Sequence, residues 1–272
     1  PPIAEMVRRL TGPGRFYHAP DPAALDLHAP SNDVKWLAHW KLEELTGYSA
    51  TTWGIPVTLH ADYDGLAPQR IVHLTSLLES VAWPRRIRVL QAAGVTSFMT
   101  TAQLKLPDVE LVSVLRTMES HPIGLYRLRG TKMARFVSTA YSFPTEKDAL
   151  KPLFGGLPYD AIALTDAAGG NNRCGTADVQ VTDDPTYIVD APCKGWVALA
   201  ENDYPGWKTT VDGQPQQTVR ADYAFVAVPV SKGHHVIRRR YVPMRPIGGL
   251  VGSLLATVAL LMSHWFSGRP GR

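Results

Sequence analysis

Apolar residues recur along this chain with two periods, and the change from one to the other divides it. In residues 68–81, Ile71, Leu74, Leu77, Leu78 and Val81 fall at helical spacing and share one face. Pro84 opens a second helix, Arg85 to Ala93, and Gly94 stands where a helix usually ends. Upstream, Ile3 to Leu10 predicts a short helix, followed by a Gly-Pro-Gly turn and a strand at Arg15–His18. Downstream, Val95–Thr100 predicts a strand, Val109–Leu115 and Gly124–Leu128 a strand pair, and Ala134–Phe143 a further strand. These elements make a mixed α/β unit over residues 1–143. A polar helix, Thr145 to Phe154, ends at Gly155-Gly156 and marks the boundary.

Beyond Tyr159 the pattern shortens. Strands are predicted at Ile162–Thr165, Asp178–Thr182, Thr186–Asp190, Gly195–Ala200, Trp207–Val211, Gln217–Arg220, Tyr223–Val228 and His235–Val242. Turn residues separate them, with Asp212-Gly213 a strong hairpin signal and Lys232-Gly233 another turn. Many short strands at regular spacing predict an antiparallel β-sandwich over residues 144–245. Then comes IGGLVGSLLATVALLMSHWF, residues 247–266, an apolar run of a length that matches roughly 30 Å of hydrocarbon. Pro243 and Pro246 stop the preceding strand, and Trp265 and Phe266 suit a membrane interface. The alternative for this run is a buried core helix. The expected fold class is therefore α+β: a mixed α/β unit, an antiparallel β-sandwich, and one C-terminal transmembrane helix at 247–266.

Composition adjusts this picture in few places. The chain has 272 residues, with 22 Gly and 22 Pro, which favours a turn-rich, strand-rich body over a helical bundle. A net charge of +4, spread along the chain, argues against a nucleic-acid partner. Arg238, Arg239, Arg240 and Arg245 precede the apolar run, and Arg269 and Arg272 follow it. Counted by charge alone the body would be cytoplasmic, but long domains cross membranes largely regardless of charge. The chain starts Pro1-Pro2 rather than with Met, so further sequence is expected upstream. Cys174 and Cys193 have no zinc-type spacing. Flanking one expected hairpin, they suit either a disulfide in an oxidising compartment or two unpaired thiols.

Candidate chemistry is sparse. Tyr204 and Trp207, and also Trp196, are flat aromatics of the kind that stacks on a sugar ring; the reading that Trp207 opens a strand and fills the sandwich core, with Pro205-Gly206 making the turn, is the stronger one, and more so for Trp196. Asp62 and Asp64 flank Tyr63 at the spacing of one face of an extended segment, as paired carboxylates or as a solvated loop. Asp212 reads as a turn residue bonding its own backbone. His234 and His235, adjacent in a strand, point to opposite faces and make a poor metal pair. Gly169-Gly170-Asn171-Asn172 lacks the Lys and the following helix of a phosphate loop. There is no GxSxG and no HExxH.

The most specific stretch is Asn202-Asp-Tyr-Pro-Gly-Trp-Lys-Thr-Thr-Val-Asp-Gly213. It is followed by Tyr223-Ala-Phe-Val-Ala-Val-Pro-Val230, Gly233-His-His-Val236 and Tyr241-Val-Pro243. In this order the segments resemble the closing part of YfhO-type bacterial membrane proteins. Tyr63-Asp-Gly-Leu-x-Pro68, Arg86 to Thr100, and Leu125-Tyr-Arg-Leu128 with Arg135-Phe136-Val137 resemble earlier elements of that family more loosely. The resemblance implies a parent of the GT-C glycosyltransferase type, with many membrane helices, a polyprenyl-phosphate-linked sugar donor and a divalent metal. Its catalytic acidic residues would lie in an outer loop near the amino end. For this chain it implies no catalytic residue, no metal ligand and no cofactor. It implies an extracytoplasmic region at the bacterial cytoplasmic membrane, with the lipid bilayer, the upstream membrane helices of the parent and an acceptor glycan as partners. Tyr204, Trp207 and Trp196 would touch that glycan. A purely structural scaffold domain and a free-standing carbohydrate-active enzyme are the alternatives.

Overall fold

The chain opens with α1 (Pro2–Thr11) and β1 (Arg15–His18). The computed structural model describes residues 2–19, 45, 47–60, 65–116, 122–165, 167–182, 185–243 and 245–267. Trp36, Trp40 and the segment Asp62-Tyr63-Asp64 lie outside them.

The helical spacing at 68–81 folds as α2 (Gln69–Ser80), which buries Ile71, Leu74 and Leu78. Next come α3 (Trp83–Ala92), with Pro84 in its first turn, and β2 (Val95–Thr100). Gly94 sits between them at a φ of 74°, a backbone turn that a β-carbon would oppose. Strands β3 (Val109–Arg116) and β4 (Pro122–Leu128) complete a four-stranded sheet of order β1-β2-β4-β3, with β1 parallel to β2.

Both faces of this sheet are covered, because successive strand residues point to opposite sides. Tyr17, Phe98 and Tyr126 face α2 and α3, among Leu74, Leu78, Val89 and Leu90. Their neighbours Phe16, Met99 and Leu125 face the other way, onto Ala4 and Val7 of α1. Trp83 stacks on Phe98 at 5.0 Å between ring centres, and Phe98 on Tyr126 at 5.3 Å.

The run at 134–143, expected as one strand, is two. Strands β5 (Ala134–Val137) and β6 (Thr139–Phe143) part at Ser138. Both leave the first sheet: β5 pairs with β11 (Gly195–Asn202), and β6 runs parallel to β7 (Ala161–Thr165), with α4 (Glu146–Gly155) between them. Thr145 caps α4 by accepting from the Asp148 N–H, and Gly156 ends it in the left-handed region. Further strands are β8 (Gly170–Asn171), β9 (Val179–Val181), β10 (Thr186–Ala191), β12 (Trp207–Val211), β13 (Gln214–Pro215), β14 (Val219–Ala221), β15 (Phe225–Val230) and β16 (Gly233–Tyr241). They form a seven-stranded sheet, β5-β11-β15-β14-β7-β6-β8, and a five-stranded one, β13-β12-β16-β10-β9.

The two large sheets share a core. Phe136, Val197, Leu199, Val226 and Val228 of one pack with Tyr187, Val189 and Ile237 of the other. Asp212 and Gly213 both take positive φ, 53° and 80°, as a tight primed turn requires. That turn leads only to the two-residue β13, while the main partner of β12 is β16. The Lys232-Gly233 turn carries the chain from β15 in one sheet to β16 in the other. Cys174 and Cys193, 19 residues apart, are joined as a disulfide and pack at the edge of this core.

The expected C-terminal transmembrane helix is corrected by the structure. The chain is helical over Arg245–Ser267, α5, but among the described residues no helix is long and apolar enough to cross a membrane. From Gly252 to Met262, where the side chains are described, all are exposed.

One buried ion cluster ties the helical layer to the large sheet. Asp222 is 2% exposed and accepts from Arg88 Nη2 at 3.0 Å, Arg135 Nη2 at 2.8 Å and the Ala163 N–H at 3.0 Å. Arg88 stands on α3 and donates also to the Leu157 and Ala161 carbonyls; Arg135, on β5, donates to the Tyr159 carbonyl. The Tyr159 ring lies beneath both guanidiniums, 5.6 and 4.6 Å from them. Burial, the largest influence, pushes the Asp222 carboxyl up. Arg88, Arg135 and the Ala163 N–H outweigh it, and the net shift is downward.

Replacing Asp222 with Asn leaves two guanidiniums buried without a counter-charge. We expect a loss of about 3–5 kcal/mol, read as a lower urea midpoint at unchanged slope. Because the folded-state value is depressed, the stability that Asp222 contributes is fully present above about pH 4 and is lost as the pH falls further. The Asp222→Asn protein should therefore show a flatter fall in stability below that pH than the parent.

Candidate functional site

The turn between β11 and β12, residues 202–207, is held by backbone hydrogen bonds at both ends. Its entry is fixed by the Asp203 N–H, which donates to the Ala224 carbonyl at 3.0 Å. Its exit is fixed by the Val242 N–H, donating to the Gly206 carbonyl at 2.8 Å. Gly206 has a φ of 99°, and a β-carbon there would stand 2.8 Å from the Tyr241 ring. The glycine is thus required both by the turn and by the aromatic ring against it.

Three rings gather beside this turn. Trp207 lies opposite Tyr241 across the β12–β16 pair, with ring centres 5.6 Å apart, and Tyr204 lies 6.4 Å from Tyr241. Tyr204 is 40% exposed and Tyr241 45%, so both offer ring surface to solvent. Trp207 is half-buried, with the Arg239 guanidinium 4.9 Å from its ring centre. Arg239 is itself buried. It is held by Glu201, which also accepts from the Tyr187 hydroxyl, and by a weak contact to Thr209 Oγ1 at 3.4 Å. Burial presses the Arg239 guanidinium down, and Glu201 opposes that.

A charge network stands at the turn's entry. Asp203 accepts from Arg220 Nε at 3.1 Å; Arg220 Nη1 reaches Glu146 at 3.0 Å; Glu146 also accepts from Arg70 Nη2 at 2.5 Å. The Arg70 hydrogen bond holds Glu146 below its ordinary range, and Glu146 in return raises Arg70. Beside it His73 Nδ1 and the Tyr223 hydroxyl are 2.6 Å apart, and burial pushes the Tyr223 phenol up.

Of the aromatics singled out from the sequence, Tyr204 and Trp207 come together, through Tyr241. Trp196 does not join them: it is 7% exposed and packs with Val137, Ile162 and Ala198 on the far face of the seven-stranded sheet. His234 pairs with Asp190 and His235 with Asp212, each at 2.8 Å, so the two imidazoles diverge onto different carboxylates. The Val236 N–H and His235 hold Asp212 below its usual carboxyl range. Gly169 to Asn172 forms a sheet edge, where a β-carbon on Gly169 would strike the Ala140 carbonyl at 2.2 Å. Among the described residues no three His, Cys, Asp or Glu side chains are grouped to hold a metal.

Sequence reasoning missed the Arg70–Glu146–Arg220–Asp203 network and the Glu201–Arg239 pair. The available signal was charge inside apolar alternation: Glu201 ends the run Trp196-Val-Ala-Leu-Ala200, and Arg239 falls two residues after Ile237, on the same face.

Residues 194–253 match the family model described as bacterial membrane protein YfhO. The match contains β11, the 202–207 turn, β12, β15 and β16, the same segments whose order carried the resemblance. No curated protein and no solved structure matches the chain.

Gly206→Ala should disturb this site more than an ordinary loop substitution. We expect a loss of about 1–3 kcal/mol, from the strained backbone and the contact with Tyr241. Near-ultraviolet circular dichroism should report displaced aromatic rings while the far-ultraviolet spectrum stays unchanged.

Proposed function

We propose that this chain is a non-catalytic, extracytoplasmic region of a glycosyltransferase-like bacterial membrane protein, and that it holds an acceptor glycan on the Tyr204–Trp207–Tyr241 surface. The observation that carries this proposal is the pair of exposed rings, Tyr204 and Tyr241, fixed by Gly206 and backed by Trp207 and Arg239. Rings immobilised before binding lose little further entropy when a sugar stacks on them. The family match supports a bacterial membrane protein. The Cys174–Cys193 disulfide suits a compartment outside the cytoplasm. In the parent, a polyprenyl-phosphate-linked donor and a divalent metal would be handled by upstream membrane helices and their acidic loop. This region would present the acceptor to them at the bilayer surface.

One observation favours a purely structural role instead. Trp207 is covered on one side by Arg239 and stands against Tyr241, as a ring does when it serves packing. Binding separates the two readings. A glycan array, followed by calorimetry on the positives, should find a cell-envelope oligosaccharide whose affinity falls by about tenfold in Tyr204→Ala and in Tyr241→Ala. The thermal midpoint should fall little, since Tyr204 is exposed. Binding that never exceeds background, with the same substitutions changing only stability, would establish the scaffold. Labelling Lys residues in intact spheroplasts with an impermeant reagent tests the placement, which is wrong if the chain is modified only after lysis.

A further inference from the structure

At the end of the β12–β16 ladder away from the aromatic turn, an aspartate, a histidine and a serine are hydrogen-bonded in line. His235 Nδ1 lies 2.8 Å from Asp212 Oδ2, and His235 Nε2 lies 3.1 Å from Ser231 Oγ. Three elements bring them together. Asp212 stands on the β12–β13 turn, where its other oxygen accepts from the Val236 N–H at 2.8 Å and its own N–H donates to the Val236 carbonyl at 2.9 Å. His235 stands on β16 opposite Val189 of β10, its side chain 12% exposed. Ser231 is exposed, on the crossover from β15 to β16. An ionised carboxylate only accepts, so Asp212 keeps a proton on Nδ1. In the neutral ring Nε2 is then an acceptor, and the Ser231 hydroxyl donates to it. The protonated ring instead donates from Nε2 to the Ser231 carbonyl, 3.2 Å away, and the hydroxyl loses its base. The Lys232 N–H, next in the chain after Ser231, has no hydrogen-bond partner among the described residues. A β-carbon on Gly233 would meet nothing within 4 Å, so the space over this crossover is open.

We infer that Ser231 is an activated nucleophile that takes the acyl group of a carboxylic ester, with His235 as its base and Asp212 positioning the ring. The inference stands apart from the glycan reading and concerns no sugar transfer. Nucleophile, base and orienting carboxylate in this order are what acyl transfer requires. Ser231 Oγ attacks the ester carbonyl carbon while its proton passes to His235 Nε2. The carbonyl oxygen, now an oxyanion, accepts from the Lys232 N–H. The bond between the carbonyl carbon and the alcohol oxygen then breaks, and the alcohol leaves with the proton from Nε2. Water opens the acyl-serine by the same route: its proton goes to Nε2 and on to Ser231 Oγ, and the carboxylic acid departs. Ser231, Lys232 and Gly233 are all exposed, so selection rests on access and not on a shaped pocket, and small activated esters are adequate probes. The charged groups around His235 are Asp212 on the β12–β13 turn and Lys232 on the crossover. Lys194, one residue before β11, and His234 with Asp190 on the other side of β16 complete them.

The test treats the whole chain with a fluorophosphonate and locates the adduct by mass spectrometry. We expect one adduct, on Ser231, and none in Ser231→Ala. His235→Gln should slow labelling by about a hundredfold or more, the usual cost of losing a general base. Asp212→Asn should slow it too, because the Asn amide can donate to Nδ1 and leave the proton on Nε2. In the parent the labelling rate should rise with pH as the His235 ring loses its proton, followed by nuclear magnetic resonance of that ring in the same protein. The parent should hydrolyse p-nitrophenyl acetate and Ser231→Ala should not. Ser231 is exposed, so Ser231→Ala should keep the parent's thermal midpoint, which separates lost chemistry from lost fold. The inference is overturned if the parent takes no label at Ser231, takes it at a rate that ignores the titration of His235, or takes it no faster than His235→Gln does. The three groups would then be a clasp between two turns and nothing more. Glycan binding on Tyr204 and Tyr241 is read separately, and neither result decides it.

Discussion

Everything else in this molecule is hung from one carboxylate. Asp222 sits between the guanidiniums of Arg88 and Arg135, all three more than nine-tenths buried, and so joins a helix of the first unit to two strands of the large sheet. A charge taken out of water costs several kcal/mol, and its attraction to a partner repays this only when the remaining lone pairs are also matched. Here they are: one oxygen accepts from both arginines, the other from the Ala163 N–H. Such a cluster adds little net stability over well-packed apolar residues, but it tolerates few arrangements. A shift of α3 along the sheet, or of β5 in its pairing, would strand a buried charge.

The turn that carries Asp222 transmits this constraint to the candidate site. Asp222 and Tyr223 both hold positive φ, 48° and 73°, and the strained pair turns Tyr223, Ala224 and Phe225 into the core of the helical unit. From there the Tyr223 hydroxyl meets His73 on α2, and the Ala224 carbonyl receives the Asp203 N–H at the mouth of the 202–207 turn. A second clamp works across the sandwich: Glu201 on β11 grips Arg239 on β16 and Tyr187 on β10, and Arg239 in turn supports Trp207. The exposed rings are therefore not on a free loop. They are the end of a chain of buried polar contacts that begins at α3.

What could be read in the sequence follows from which forces are local. The α2 stripe, the Thr145 cap and the Gly94 and Gly156 stops depend on residues within a few positions of each other, and the helices lie within two residues of their expected ends. The strand at 134–143 was not read as two, because the break at Ser138 is made by pairing with β11 and β7, over 20 residues away. Lys232-Gly233 has hairpin composition, yet joins two sheets; composition fixes that a chain turns, not which strand it meets next. Ile247 to Phe266 has the hydropathy of a membrane span, and the residues described there fall short of one. That Tyr204 and Trp207 lie close together follows from Pro205-Gly206, which places them on one turn. The burial of Trp196 on one sheet face is a tertiary fact that its neighbours in sequence do not specify.

Where the local rules and the fold disagree is itself informative. Natural sequences are mostly consistent across levels, and the exceptions concentrate where something other than folding is being served. The exceptions at Asp222 and Tyr223 are answered within the chain, by the two arginines, Ala163 and His73. Leu59, buried at a φ of 54°, is held by the packing of the first unit's core. Even in the Asp222 cluster Arg88 Nη1 is buried without a partner among the described residues, so the cluster is better explained by the single arrangement it permits than by the net stability it adds.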